Sequence, residues 1–130
     1  QLAIEGAQFD VVFALEIIEH VADVELFYDA ITALVKPGGV LVLSTLNRTA
    51  KSYAMGIIGA EYVLRWLPRG THTWAKFIKP SEMARSLGRR GFTATDITGI
   101  TFSPLTWTFG LDARDLDVNY LMVATKPAAQ

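Results

Sequence analysis

Residues 9–46 read FDVVFALEIIEHVADVELFYDAITALVKPGGVLVLSTL, and two apolar periods alternate within them. VVFALE (11–16) is a short run, apolar on both faces and rich in Val and Phe, with Asp10 at its entrance. That composition predicts a buried parallel strand of an α/β sheet. From Ala22 onward Phe27, Ala30, Ile31 and Leu34 recur at helical spacing behind Asp23, which predicts an amphipathic helix stopped by KPGG (36–39). VLVLSTL (40–46) then reads as a second buried strand. Strand, helix and strand joined this tightly imply a right-handed parallel crossover, the unit of a doubly wound sheet.

Downstream, KSYAMGIIGAEYVLRWLPR (51–69) is apolar on nearly every side, interrupted by Glu61 and Arg65 and ended at Pro68. At roughly 1.5 Å per residue its apolar part is too short to span a hydrocarbon core of about 30 Å. Two readings stay open from the residues alone. The helix is buried against the sheet or in a dimer, the commoner use, or it lies in a membrane interface, with Tyr62 and Trp66 at headgroup level and Lys51, Arg65 and Arg69 toward anionic lipid. THTWAKFIK (71–79) reads as a loop in which His72 and Trp74 pack. Pro80, Ser81 and Glu82 open a helix closed by Gly91, with Arg89 and Arg90 complementing its dipole. FTATDITGITF (92–102) and DVNYLMVAT (117–125) alternate as strands, joined by a long connection containing Pro104 and Gly110.

The chain has 130 residues, which fits one domain. With 12 Lys plus Arg against 13 Asp plus Glu, its formal charge of -1 provides no global field to draw it to nucleic acid. There is no cysteine, hence no disulfide, thiolate nucleophile or cysteine metal ligand. No two glycines are separated by one residue, so a G-x-G-x-x-G dinucleotide loop cannot be drawn. QLAIEGAQFD carries neither a signal-peptide pattern nor a starting Met and reads as the interior of a longer chain.

Chemistry concentrates in ALEIIEHV (14–21). Ligands of open α/β sheets bind beyond the carboxyl ends of the strands, where Leu15 to His20 fall. On a helix, Glu16, Glu19 and His20 would share one face. They could hold a divalent cation, with His20 alternatively removing a proton near its usual pKa of about 6.5. The plain alternative has Glu16 capping the turn and the other two solvated.

FDVVFALEIIEHV, STLNR followed by GAEYVLRWLPRGTH and KFIKP, and DVNYLMVATKP resemble the ubiquinone biosynthesis O-methyltransferases, an S-adenosylmethionine-dependent class I methyltransferase family. The similarity runs from about residue 9 to residue 127. It implies a Rossmann-like sheet, mixed and mostly parallel with an antiparallel last strand. The implied reaction is O-methylation of a phenolic hydroxyl on a polyprenylated ubiquinone precursor, at two steps of ubiquinone synthesis. In eukaryotic relatives the E-x-x-E-H residues are associated with a divalent ion (Mg, alternatively Zn or Mn), and they match Glu16, Glu19 and His20. His20 is also the candidate base, and Leu15 sits where the family contacts the cofactor beside its adenine end. The 51–69 segment matches the family's lipid-linked insertion. It implies a cytoplasmic protein bound peripherally to the inner face of the bacterial inner membrane.

The departure is the glycine-rich loop and acidic ribose ligand that precede this region in complete class I methyltransferases. Residues 1–130 are therefore expected to form one partial domain, a C-terminal fragment inactive alone, whose exposed sheet edge invites homo-oligomerisation. The rivals are a methyltransferase of small phenols with the same fold, and a non-catalytic binding or assembly module.

Overall fold

A computed structural model describes residues 1–54, 74–103 and 105–129. Five strands form one sheet in the order β1-β2-β5-β3-β4: β1 Phe9–Leu15, β2 Val35–Leu46, β3 Thr93–Ser103, β4 Thr108–Asp112 and β5 Asn119–Thr125. The helices are α1 Val24–Ala33, a short turn α2 Ala50–Ser52, and α3 Pro80–Gly88.

The β1-α1-β2 unit is the expected parallel crossover, with Val12↔Leu41 and Leu15↔Ser44 in register. Asp23 caps α1, its Oδ1 accepting from the Leu26 N–H at 3.0 Å. β5 runs antiparallel to both β2 and β3, so β1, β2 and β3 point the same way and the mixed sheet matches expectation. Both α1 and α3 pack on one face. There Tyr28 and Ile31 of α1 and Met83 and Leu87 of α3 meet Ala14, Leu41, Leu43, Tyr120, Met122 and Ala124. Arg90 ties the two helices: its Nε is 2.7 Å from Asp29 Oδ1 and its Nη2 2.9 Å from Glu25 Oε2, while Nη1 donates to the Ser86 carbonyl at 3.0 Å. It thus does more than the expected complementing of its own helix dipole.

Four expectations need correction. KPGG does not stop α1, which ends at the Leu34 C-cap; it opens β2 and absorbs a register shift between Phe9 and Val11. Gly38 takes a φ of +78°, and a Cβ on Gly39 would lie 2.9 Å from the Asp10 carbonyl oxygen, so glycines are needed where β1 passes closest. Second, the connection after Ser103 contains β4, an edge strand paired through Phe102↔Phe109 and Ile100↔Leu111. Third, β1 is buried on one face only. Phe9, Val11, Phe13 and Leu15 alternate onto the other face and are exposed, Phe13 by 64%, because neither α1 nor α3 lies on that side. Fourth, the ALEIIEHV segment is not an α-helix but a 3-10 turn at Ile18–His20. The expected 51–69 helix falls mostly outside the described residues, as does His72.

Candidate functional site

Because β1 and β2 are parallel neighbours, their carboxyl ends open side by side, bringing the turn after Leu15 against Ser44 and Thr45. Glu16 leaves β1 in the left-handed region, at a φ of 52°, a conformation costing a non-glycine residue about 1 kcal/mol. Its N–H donates to the Ser44 carbonyl at 2.9 Å and to Ser44 Oγ at 3.1 Å, which holds that conformation in place. The chain then tightens into the 3-10 turn, and the His20 N–H donates to the Ile17 carbonyl at 2.9 Å.

Within this turn the three ionisable side chains have different surroundings. Glu19 is 5% exposed, and its Oε2 accepts from Thr45 Oγ1 at 2.8 Å. Its Oε1 stands 3.9 Å from Nε2 of His20, whose side chain is half exposed. Glu16 Oε1 accepts from Ser44 Oγ at 3.2 Å. Burial, followed by the hydrogen bond and repulsion from Glu19, pushes the Glu16 pKa up to about 7 against the lowering effect of Ser44. The plain alternative, a solvated Glu19, is thereby corrected. Leu15 lies at the same strand end, exposed on the uncovered face.

The donor set does not fit a divalent ion as it stands. Among the described residues no three carboxylate or imidazole side chains are arranged to hold one. One oxygen of Glu19 is committed to a buried hydroxyl, and the other stands 3.9 Å from Nε2, wider than the roughly 3.0–3.4 Å between neighbouring ligands at bond lengths of about 2.1 Å in octahedral or tetrahedral geometry. Beyond His20, a cavity of about 400 Å³ opens between Val21, the start of α1, Phe77 and α3, and is crossed by the Arg48–Glu82 ion pair. Ser44, Thr45 and Arg48 were not singled out from sequence. The position of Ser44 and Thr45 at the end of VLVLSTL, with Arg48 two residues beyond it, was the available signal, since that strand end meets the first.

A Methyltransferase domain family model matches residues 2–97. The chain belongs to the methyltransferase-domain family. Ubiquinone biosynthesis O-methyltransferase of Azorhizobium caulinodans is 53% identical to this methyltransferase domain over 98% of the chain and 50% of its own length. The protein of the same name from Roseobacter denitrificans is 52% identical over 98% of the chain and 51% of its own length. The chain thus spans about half the length of these relatives. Among solved structures, a SAM-dependent methyltransferase from Thermotoga maritima superposes with a TM-score of 0.67 at 16% identity, over 93% of this chain and 57% of that one. Magnesium protoporphyrin IX methyltransferase from Synechocystis, with bound SAH, gives 0.61 at 19% identity over 97% and 48%. These likenesses show the fold: a Rossmann-like methyltransferase sheet.

Proposed function

We propose that this chain carries the catalytic turn of an S-adenosylmethionine-dependent O-methyltransferase acting on a phenolic hydroxyl of a polyprenylated ubiquinone precursor. The observation that carries the reading is a half-exposed imidazole at the carboxyl ends of two parallel strands, with a buried carboxylate 3.9 Å behind it. The identity of about half of all residues to relatives named for that reaction supplies the substrate class.

A phenol with a pKa of about 10 is a poor nucleophile at neutral pH, so the site's task is to remove its proton as the oxygen attacks. His20 is the base that receives that proton, and the adjacent Glu19 carboxylate stabilises the imidazolium that results. S-Adenosylmethionine, when bound, supplies a methyl group on a sulfonium centre; the new bond is O–CH3, the C–S bond breaks, and sulfur keeps the electron pair. Leu15, exposed at the end of β1, is the residue of this chain that would line the cofactor's adenine end. Arrangement of the donors does not support a cation here, and no step is assigned to one.

The 51–69 segment, with Lys51 at its start, is proposed to bring the protein to anionic lipid on the inner face of the bacterial inner membrane. Among the described residues no helix is long and apolar enough to cross a membrane. Flotation with vesicles containing anionic phospholipid tests this, and a protein left wholly in the soluble fraction overturns it.

The test of the activity uses the product of the whole parent gene, S-adenosylmethionine labelled in the methyl group, and a catechol bearing a short prenyl chain. Label should enter the phenol ether, and His20→Ala should lower kcat by at least about 100-fold, the usual scale for loss of a general base. No transfer to prenylated catechols, or full activity in His20→Ala, refutes the reading. The 130-residue chain alone should give no heat on titration with S-adenosylmethionine, since it carries no G-x-G loop.

A further inference from the structure

Successive residues of a strand point to opposite faces, so Ser44 and Thr45 should serve different surroundings. Each instead meets a carboxylate of the same turn: Ser44 Oγ donates to Glu16 Oε1 at 3.2 Å, and Thr45 Oγ1 donates to Glu19 Oε2 at 2.8 Å. This happens because the left-handed Glu16 swings the chain around the end of β2, which the turn then straddles. The Thr45 bond is the more protected. Thr45 is fully buried and Glu19 nearly so, and a buried carboxylate deprived of its donor is costly, which makes this bond the fixed point of the turn. From there a line of groups runs outward: Thr45 Oγ1, Glu19 Oε2 and Oε1, then His20 Nε2.

We propose that Thr45 is the positioning residue of this site, setting through Glu19 where the His20 imidazole stands. The proposal rests on the reading of His20 as the base and adds to it the group that aims that base. It also gives Glu19 a role that needs no cation, since its inner oxygen accepts from the Thr45 hydroxyl while its outer oxygen faces His20.

Valine matches threonine in shape but has no hydroxyl, whereas serine keeps the hydroxyl and lacks the methyl. These two substitutions therefore separate the hydrogen bond from core packing. The readout is the nitrogen correlation spectrum of the imidazoles at fixed pH in this chain, which has two histidines, so His72→Gln assigns the His20 signals. Thr45→Val and Glu19→Gln should each move the His20 signals away from their wild-type positions, and Thr45→Ser should leave them there, whatever the change in melting temperature. Wild-type positions in Thr45→Val, or an equal displacement in Thr45→Ser, overturn the proposal. If Thr45→Val does not fold, Thr45→Ala removes the same hydroxyl in a smaller side chain. His20 signals displaced in Thr45→Ala with Thr45→Ser in place support the positioning role, and wild-type positions in Thr45→Ala, or Glu19→Gln unmoved, refute it. Saturable displacement by Mg²⁺ that is lost in Glu19→Gln would assign Glu19 to the cation instead. None of these spectra requires methyl transfer, so failure of the O-methylation reading and failure of this one are separate results.

Discussion

Replacing Gly39 with alanine should loosen the seam between β1 and β2. An added Cβ would lie 2.8 Å from both the Lys36 carbonyl oxygen and Val35 Cγ1, and 2.9 Å from the Asp10 carbonyl oxygen. Two of the three are backbone atoms that no rotamer change can withdraw, and Asp10 belongs to β1, so relief requires the strands to part near their register shift. Overpacking of this kind costs about 1–3 kcal/mol, of which roughly 0.4–1 kcal/mol is returned by the stiffer unfolded chain. The net loss is about 1–2 kcal/mol. At ~2.1 cal/mol/K of unfolding entropy per residue, that lowers the melting temperature of a chain this size by about 4–7 °C. Gly38 provides the control. It sits at a φ of +78° with nothing nearer to a Cβ than Ala128 at 3.9 Å, so Gly38→Ala meets only a conformational penalty of about 1 kcal/mol. Urea unfolding followed by circular dichroism, at one fixed protein concentration, ranks the variants. A Gly39→Ala midpoint equal to wild type, or higher than that of Gly38→Ala, would refute the close approach of β1 to this glycine.

Three further outcomes follow from other parts of the molecule. The Glu16 pKa is raised from 4.5 to about 7, so folded protein holds a proton there that unfolded protein has lost; the associated stability is complete below pH 4.5 and disappears as pH rises through about 7. Because Glu16 is exposed over more than a third of its surface, water screens this to about 1 kcal/mol, and the wild-type minus Glu16→Gln difference in unfolding free energy should fall across that window. A difference that rises contradicts the sign. Tyr120→Phe removes the hydroxyl that donates to the buried Ile78 carbonyl at 2.7 Å and should cost about 1–3 kcal/mol in denaturant; a loss under about 0.5 kcal/mol would mean that the carbonyl finds another donor. If copies of the chain meet through the open face of β1, Phe13→Lys should lower the oligomer content seen by size-exclusion chromatography without shifting the unfolding midpoint of dilute protein, and unchanged elution would show that this face is not where they meet.

The order strand, helix, strand over residues 9–46 was legible because each element obeys its own period and Asp23 marks the helix start. What VVFALE could not reveal was that only one of its faces is covered, since apolar residues record what a strand can bury and not what arrives to bury it. β4 was missed for a related reason. TWTFGLD is broken by a glycine and bracketed by a proline, and only its pairing with β3, Phe109 opposite Phe102, makes it a strand. Packing of the Phe102 ring edge-to-face on Trp107 at 5.2 Å and tilted against Phe109 at 5.0 Å is tertiary information that no local pattern carries. At the site, Glu16, Glu19 and His20 could be named from their spacing. Their unequal burial could not, because it comes from Ser44 and Thr45, which are 28 and 26 residues away and reach the turn only through the parallel register of β1 and β2.

The face left open by α1 and α3 has a consequence for any thermodynamic measurement on this chain. Phe9, Val11, Phe13 and Leu15 stand in a row along an edge strand, a comb of apolar teeth whose outer side pairs with no other strand among the described residues. A partner that meshes with that comb stabilises the folded form by mass action, whether it is another polypeptide or another copy. If the partner is another copy, dilution acts as a denaturant and heating scans at two concentrations give two transition temperatures. Where that partner is a second copy, a melting temperature for this chain is defined only together with the protein concentration.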